Sequence, residues 1–302
     1  MTTQALNYLR QASEDLRQAW VPAMKRDYPI DAMVCETILN LAPRIPKFVM
    51  PKGGRIFNDA LRGLPDELRL PYPAILIEYE ALETTEGIVE QVFGNENTVS
   101  CSKRIVIAQE VDGWIHVHSL VYINSPERPS WIMPPYAAAI RRVANSQATP
   151  GIPGLNYGTK IDGLEFSPLP TGTLAKEKIG PNWTRHAYCD LADEVSTVLE
   201  LIEALSCINV THEPLPTRKP NKSAIRRGAL PFDEYRVLVL KEHERWIVRN
   251  YSMGNHRSPR EHLRRGHIRR LRDGRKVWVN PTVVNAGSIG KITTIYDARK
   301  VA

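Results

Sequence analysis

Residues 104–123, RIVIAQEVDGWIHVHSLVYI, carry the clearest fold signal in the chain. Asp112-Gly113 is a dipeptide that favours a tight turn between antiparallel strands, and strand-like residues flank it on both sides. After the turn, apolar residues alternate with a second set that includes His116 and His118. Because successive side chains of a strand point to opposite faces, the pattern predicts a β-hairpin with one face in the core.

Other segments add helices and further strands to this hairpin. The apolar periodicity predicts helices over residues 3–27, 31–41, 136–144 and 190–207. Short apolar runs predict a buried strand over residues 74–79 and a further strand over residues 235–240. In the last helix we expect Asp190 to cap the N-terminus and the carboxylates to lie on a solvated face. The chain is therefore expected to adopt an α+β fold, with antiparallel hairpins and helices packed on them.

Composition and length are those of an ordinary soluble globular protein, with 302 residues of which 42% are hydrophobic and 24% charged. No apolar run approaches the roughly 20 residues that span a bilayer. Residues 1–20 also lack the apolar core of a signal peptide, so we expect a cytoplasmic protein without a membrane partner. Four scattered cysteines without a C-x-x-C pair indicate free thiols, and no residue pattern calls for a cofactor.

Positive charge is concentrated at the C-terminal end of the chain. Residues 217–302 contain 21 Lys and Arg against 7 Asp and Glu, a net charge of +14. Residues 1–216 contain 19 against 26, a net charge of −7. The shift falls in a proline-punctuated linker near Pro216. We therefore predict an acidic α+β body (residues 1–215) and a basic C-terminal module (residues 216–302), which could also be continuous with the body.

The C-terminal module contains a stretch with specific local signals, HRSPREHLRRGHIRRLRDGRKVWVNP at residues 256–281. Ser258 and Glu261 form an S-x-x-E capping box, which predicts a short helix that ends at Gly266. Asp273-Gly274 then predicts a two-residue hairpin turn. The stretch is thus expected to fold as a small helix followed by a basic hairpin.

A two-residue turn also sets the cross-strand pairs of this hairpin. The expected pairs are Leu271 with Lys276, Arg269 with Trp278 and Ile268 with Val279. This register places Trp278 beside Arg269 and His267 on one face, where an exposed indole could stack on an unpaired base. As a core residue of the hairpin, Trp278 would instead be buried.

The charge of this stretch favours nucleic-acid binding. Arginine outnumbers lysine, and the guanidinium group makes forked contacts to phosphate. We therefore expect a DNA or RNA partner whose binding weakens as the salt concentration rises. The expected contacts are Arg257, Arg260, Arg264, Arg265, Arg269, Arg270, Arg272, Arg275, Lys276 and Trp278.

Three other interpretations of the same residues stay open. His256, His262 and His267 could be the acid and base of a metal-independent nuclease, with arginines stabilising the phosphate. The body and the module could instead be docking surfaces for a bacterial host protein or a virion component, without catalysis. Finally, the module could dock on the acidic body, or on that of a second subunit, so that the two charges partly cancel.

Two patterns outside this stretch are weaker candidates for a site. Gly53-Gly54 precedes a short helical run and could cradle a phosphate, but the Walker spacing is absent, which favours a plain turn. His116 and His118, two positions apart on a strand, could ligate one metal or be partly exposed strand residues. The acidic candidates for such a site are Glu78, Glu80 and Glu110.

Blocks of the sequence resemble uncharacterised proteins of bacteriophages and prophages. These blocks are RGLPDELRLPYPAILIEY (62–79), CINVTHEPLP (207–216), KPNKSAIRRGALPFDEYRVLVL (219–240), SPREHLRRGHIRRL (258–271) and VWVNPTVVN (277–285). The part from residue 207 onward covers roughly a third of the chain. The resemblance implies a phage origin and action in a bacterial cytoplasm. It brings no activity and no functional residue with it.

Overall fold

The computed structural model of the protein describes residues 6–56, 65, 67–82, 101–124, 129–143, 163–215, 235–240, 262–264, 267–279 and 282–284. The α-helices are α1 (Tyr8–Asp15), α2 (Val21–Asp27), α3 (Pro29–Leu41) and α4 (Trp183–Leu205). The strands are β1 (Lys47–Val49), β2 (Ala74–Glu80), β3 (Cys101–Val111), β4 (Trp114–Ile123), β5 (Ser130–Ile132), β6 (Tyr136–Arg142), β7 (Leu164–Pro170), β8 (Val210–Pro214), β9 (Tyr235–Leu240), β10 (His262–Arg264), β11 (His267–Arg270), β12 (Lys276–Val279) and β13 (Thr282–Val284). Within these ranges, no helix has the length together with the hydropathy that a membrane span requires.

Nine strands form one mixed sheet in the order β7-β6-β4-β3-β2-β1-β9-β8, with β5 paired to β4. β1 runs parallel to β2 and β9, while the other neighbours are antiparallel. The predicted hairpin is β3–β4, and its turn residues Asp112 and Gly113 have φ angles of 50° and 78°. Positive φ at both positions is what a type I′ turn requires, so this prediction is confirmed.

Helices cover both faces of the sheet, which gives three layers. On the first face, here the α4 face, α4 packs against a core that includes Ile77 and Val106. On the second face, here the α1 face, α1 and α3 pack against residues such as Leu76 and Ile107. β2 is buried along almost its whole length because both its faces are covered. The mixture of helices and a large mixed sheet agrees with the expected α+β class.

Residues 136–142 form strand β6 where we expected a helix. The sequence YAAAIRR has a high helix propensity because of its alanines. In the protein, however, β6 pairs with both β4 and β7, so sheet hydrogen bonds override that propensity. Ala138 faces α4 and forms part of the core on that side. The small side chains therefore serve close packing of a helix on a strand.

The long helix α4 also differs from the expectation. It begins at Trp183, so Asp190 lies inside the helix, where its carboxylate accepts a hydrogen bond from the Tyr136 hydroxyl. The predicted solvated face is wrong for the glutamates, since Glu194 and Glu200 are each only 1% exposed, whereas Asp193 is exposed as expected. The helical pattern could not reveal this burial, because the groups that pair with these carboxylates come from distant segments of the chain.

The described C-terminal segments include a strand where we expected a helix. Residues 262–264 form strand β10 paired with β13, where we expected the last turn of a capped helix. A two-turn helix is only marginally stable by itself, whereas pairing with another strand satisfies the backbone groups of these residues. β9 lies between β1 and β8 in the main sheet. The first described strand after the predicted boundary near Pro216 therefore completes the sheet of the body.

Candidate functional site

The basic hairpin β11–β12 docks on the body through one of its two faces. Its register pairs Ile268 with Trp278 and Arg270 with Lys276, so these four side chains share a face. Trp278 is 8% exposed and Lys276 is 4% exposed. Two of the predicted nucleic-acid contacts are therefore buried in the docked face of the hairpin.

This register is shifted by one residue from the predicted one. The turn contains three residues, 272–274, and Leu271 N–H donates to the Arg275 carbonyl oxygen across it at 2.8 Å. Gly274 has a φ of 84°, but Asp273 does not have the positive φ that a two-residue type I′ turn needs. Because a shift of one residue exchanges the two faces of a strand, the indole expected beside an arginine turns inward.

A buried ion pair joins the hairpin to α4. Lys276 Nζ lies 2.7 and 2.9 Å from the two carboxylate oxygens of Glu203. The side chains of Lys276 and Glu203 are only 4% and 11% exposed. Either charge would be costly to bury alone, so each depends on the other for its place in the core.

Asn209 holds the backbone of the same hairpin. Its side-chain amide donates to the Trp278 carbonyl oxygen, and its side-chain oxygen accepts from Trp278 N–H, both at 2.8 Å. Ile208 N–H donates to the Lys276 carbonyl oxygen at 3.0 Å. The connection between α4 and β8 thus gives β12 hydrogen bonds of the kind a neighbouring strand would give.

Four arginines near the turn of the hairpin are exposed to solvent. Arg269 and Arg275 lie on the side opposite to the docked face, and Arg272 lies in the turn. Arg270 shares the docked face but is itself exposed. Arg275 Nε donates to the Asp273 carboxylate at 2.7 Å. This hydrogen bond lowers the pKa of Asp273 below its ordinary value, so the turn keeps a carboxylate at neutral pH. Four guanidinium groups against one carboxylate leave the exposed end of the hairpin strongly cationic.

The other predicted contacts lie partly or wholly outside the described residues. His256, Arg257, Arg260 and Arg265 are outside them. His262, Arg264 and His267 lie on β10 and β11, and the structure describes only the backbone of these three residues. The nuclease hypothesis, which depends on how the histidine side chains converge, stays a prediction.

A second polar cluster lies near the docked hairpin and was not identified from the sequence. Tyr72, His212 and Arg236 are all half-buried. Arg236 Nη1 lies 3.0 Å from His212 Nδ1, and Tyr72 Oη lies 3.3 Å from His212 Nε2. Phe48 supports the imidazole edge-on, with ring centroids 5.7 Å apart. Strand pairing alone brings these residues together, because they are distant in sequence.

The hydrogen bonds of this Tyr72–His212–Arg236 cluster decide its protonation. A guanidinium group can only donate, so His212 Nδ1 must accept and the proton of the neutral ring must sit on Nε2. Burial and the neighbouring Arg236 charge both lower the pKa of His212, which favours the neutral ring. His212 Nε2–H therefore donates to Tyr72 Oη, and the tyrosine hydroxyl hydrogen remains able to donate elsewhere.

The carboxylates of α4 form a third polar group, between this helix and the α4 face of the sheet. Glu194 accepts a charged hydrogen bond from Arg104 of β3, while Glu200 accepts from Ile56 N–H. At the exposed edge, Arg55 Nη2 donates to Asp193 at 3.1 Å. These contacts give the buried carboxylates partners from several segments, as expected of a structural network, although Glu194 Oε2 has no hydrogen-bond partner among the described residues.

Gly53 and Gly54 belong to a short 3₁₀ turn packed against α4. A Cβ atom on Gly54 would lie 2.2 Å from Thr197 Oγ1 and 3.1 Å from the Tyr79 ring. Gly54 also has a φ of 67°, which side-chain-bearing residues rarely adopt. Glycine is therefore required here for close approach of the backbone to the helix, in agreement with a plain turn.

His116 and His118 share the α1 face, as the strand alternation predicts. Burial lowers the pKa of His118 to about 4, so its ring is neutral at physiological pH. Of the acidic candidates, Glu78 accepts N–H groups of α1, Glu110 accepts from Leu70 N–H, and Glu80 is exposed. Among the described residues, no group of three or more His, Cys, Asp or Glu side chains could hold a metal ion.

No protein-family model, curated protein or solved structure matches the chain.

Proposed function

We propose that the protein binds nucleic acid through the exposed arginines of the β11–β12 hairpin. The observation that carries this proposal is the one-sided docking of the hairpin. Lys276 and Trp278 are used for docking, while Arg269 and Arg272 are exposed on the remaining surface. A guanidinium group suits the phosphate backbone because it combines a permanent charge with forked donors.

Docking also supports the proposal on energetic grounds. A hairpin fixed by an ion pair and by backbone hydrogen bonds loses little conformational entropy when it binds a ligand. The predominantly acidic body repels a polyanion, which favours contacts at the basic hairpin and close to it. The resemblance to phage proteins supports a phage-derived accessory or regulatory protein that acts in the bacterial cytoplasm.

A binding measurement with matched variants tests this function. We would titrate the protein into labelled RNA, single-stranded DNA and duplex DNA, each at about 0.05 M and about 0.2 M salt. The Arg269→Ala/Arg272→Ala variant should bind more weakly and lower the slope of log affinity against log salt by about 1.5, as for two lost phosphate contacts. The Arg10→Ala/Arg44→Ala variant removes the same charge from exposed positions of the body and should bind normally.

Three other outcomes would contradict or change this proposal. Intact probes that never shift with the wild-type protein would contradict nucleic-acid binding and favour a host protein or a virion component as the partner. Cleavage of a probe into discrete products would favour the nuclease hypothesis, and His262→Ala and His267→Ala would then be the first variants to assay. Equal affinity of the hairpin variant and the body variant would remove Arg269 and Arg272 from the binding surface.

A further inference from the structure

We infer that the Tyr72–His212–Arg236 cluster extends the proposed nucleic-acid surface and selects single strands, by holding one unpaired nucleotide. This inference rests on the proposed function, since it names the form of nucleic acid that the same surface takes. Its basis is the position of the cluster, its chemistry and the partial exposure of all three side chains.

The cluster and the hairpin lie on the same side of the sheet. His212 pairs with Leu238, whose side chain packs against the core on the α4 face, so His212 faces that side. Pro214 pairs with Arg236, and alternation along β8 places Arg236 on this side too. The hairpin is bound to α4 by Lys276, which puts it over the same face.

The two features are also close along the edge of the sheet. The Asn209 side chain makes two hydrogen bonds to the backbone of Trp278, and His212 follows Asn209 by three residues. At about 3.3 Å per strand residue, the imidazole lies roughly 10 Å along the chain from the hairpin anchor. Among the described strands, β8 is the edge strand of the main sheet next to β9. A ligand bound to the hairpin can therefore continue along this edge onto the cluster.

The chemistry of the cluster suits a nucleotide. Arg236 supplies a permanent positive charge, with its guanidinium carbon 6.0 Å from the centre of the Tyr72 ring. The Tyr72 hydroxyl can donate to a phosphate oxygen because His212 Nε2–H already fills one of its acceptor positions. The Tyr72 ring offers a flat surface on which an unpaired base can stack. A paired base is already stacked between its neighbours in the duplex and cannot also stack on the Tyr72 ring. The cluster should therefore prefer single strands.

Fluorescence anisotropy on Tyr72 variants tests this inference. The probes are a labelled single-stranded oligodeoxynucleotide and a duplex of equal length, at about 0.15 M salt. Tyr72→Leu should weaken single-strand binding at least about fivefold and leave duplex binding unchanged, since stacking of one base contributes about 1–3 kcal/mol. Tyr72→Phe keeps the aromatic ring, so it should lose less single-strand affinity than Tyr72→Leu. Tyr122→Phe, which changes a tyrosine on the opposite face, is the matched control.

The outcomes separate this inference from the proposed function. If Arg269→Ala/Arg272→Ala weakens binding but Tyr72→Leu does not, the hairpin function stands and the single-strand site is wrong. Equal loss for single strand and duplex on Tyr72→Leu would also overturn the preference. Absence of binding by the wild-type protein to both probes would overturn both proposals.

A second measurement does not depend on the folding of a variant. Ultraviolet irradiation of the wild-type protein with a single strand that contains 5-bromouracil should crosslink the peptide containing Tyr72, as read by mass spectrometry. Crosslinks to hairpin peptides without any to this peptide would contradict the extended site.

Discussion

Lys276 Nζ on the basic hairpin lies 2.7 Å from Glu203 Oε1 on α4, and the two residues are 73 positions apart in the sequence. The sequence pattern assigned the lysine to a nucleic-acid surface and the glutamate to a solvated helix face. In the protein both are buried, and they join the basic hairpin to the acidic body. Part of the positive charge of the module and part of the negative charge of the body therefore neutralise each other inside the molecule, while Arg269 and Arg272 stay exposed.

Removal of one partner of this pair should be strongly destabilising. Lys276→Met keeps the length of the side chain but leaves the Glu203 carboxylate buried without a counter-charge, and we expect a loss of about 3–5 kcal/mol in the free energy of unfolding. Urea denaturation followed by circular dichroism measures it. The double variant Lys276→Met/Glu203→Gln should recover much of the loss. A change in Lys276→Met no larger than in Arg272→Ala, an exposed control, would contradict the buried pair.

Asn209→Ala should loosen the hairpin by removing two hydrogen bonds to the Trp278 backbone. Each buried backbone group left without a partner costs about 1–3 kcal/mol. Amide hydrogen exchange read by mass spectrometry should show faster exchange over residues 276–279. Asn40→Ala, which removes an exposed amide bonded to Arg17, should leave exchange there unchanged. Unaltered protection of β12 in Asn209→Ala would show that this side chain does not anchor the hairpin.

Glu78→Gln should destabilise the packing of α1 on the sheet. The Glu78 carboxylate accepts Tyr8 N–H at 3.1 Å, Leu9 N–H at 2.8 Å and the Tyr235 hydroxyl at 2.8 Å. An amide has only one oxygen, so its NH₂ group must face a donor, and we expect a loss of about 2–4 kcal/mol.

Tyr235→Phe removes one of these three bonds and should cost less than Glu78→Gln. The same urea titration measures both variants, with Glu80→Gln on the exposed end of β2 as the control. Equal stability of Glu78→Gln and Glu80→Gln would mean that the carboxylate charge has no role in holding α1.

His118 should make the protein less stable in mild acid. Burial lowers its pKa from about 6.5 in the unfolded chain to about 4 in the folded protein, so the unfolded state binds more protons between these values. The stability that His118 contributes is therefore complete above pH 6.5 and is lost as the pH falls toward 4. The expected loss is about 3 kcal/mol at most.

A comparison of variants isolates this effect from other titrating groups. The difference in unfolding free energy between wild-type and His118→Gln should change between pH 7 and pH 4. His116→Gln, on the same strand and face, should retain most of the wild-type dependence. A pH-independent difference between wild-type and His118→Gln would contradict a buried neutral imidazole.

Local signals in the sequence predicted the parts of the fold that depend on neighbouring residues. The β3–β4 hairpin follows from Asp112-Gly113 and the alternation around it, and the buried strand β2 and the strand β9 follow from short apolar runs. Strand β6 could not be predicted in this way, because its alanines favour a helix until β4 and β7 are placed beside them. The same holds for the Tyr72–His212–Arg236 cluster, whose members meet only through strand pairing.

The sequence by itself determined the elements that turn residues and apolar patterns specify locally, the α+β class and the concentration of arginine near the C-terminus. The tertiary structure alone decided which charges are buried and which are exposed. Turn chemistry allowed Asp273-Gly274 two loop lengths, and the three-residue loop turned Trp278 and Lys276 inward onto Asn209 and Glu203. The physical reason is that burial of a charge depends on a counter-charge, and here that counter-charge lies 73 residues away on another element.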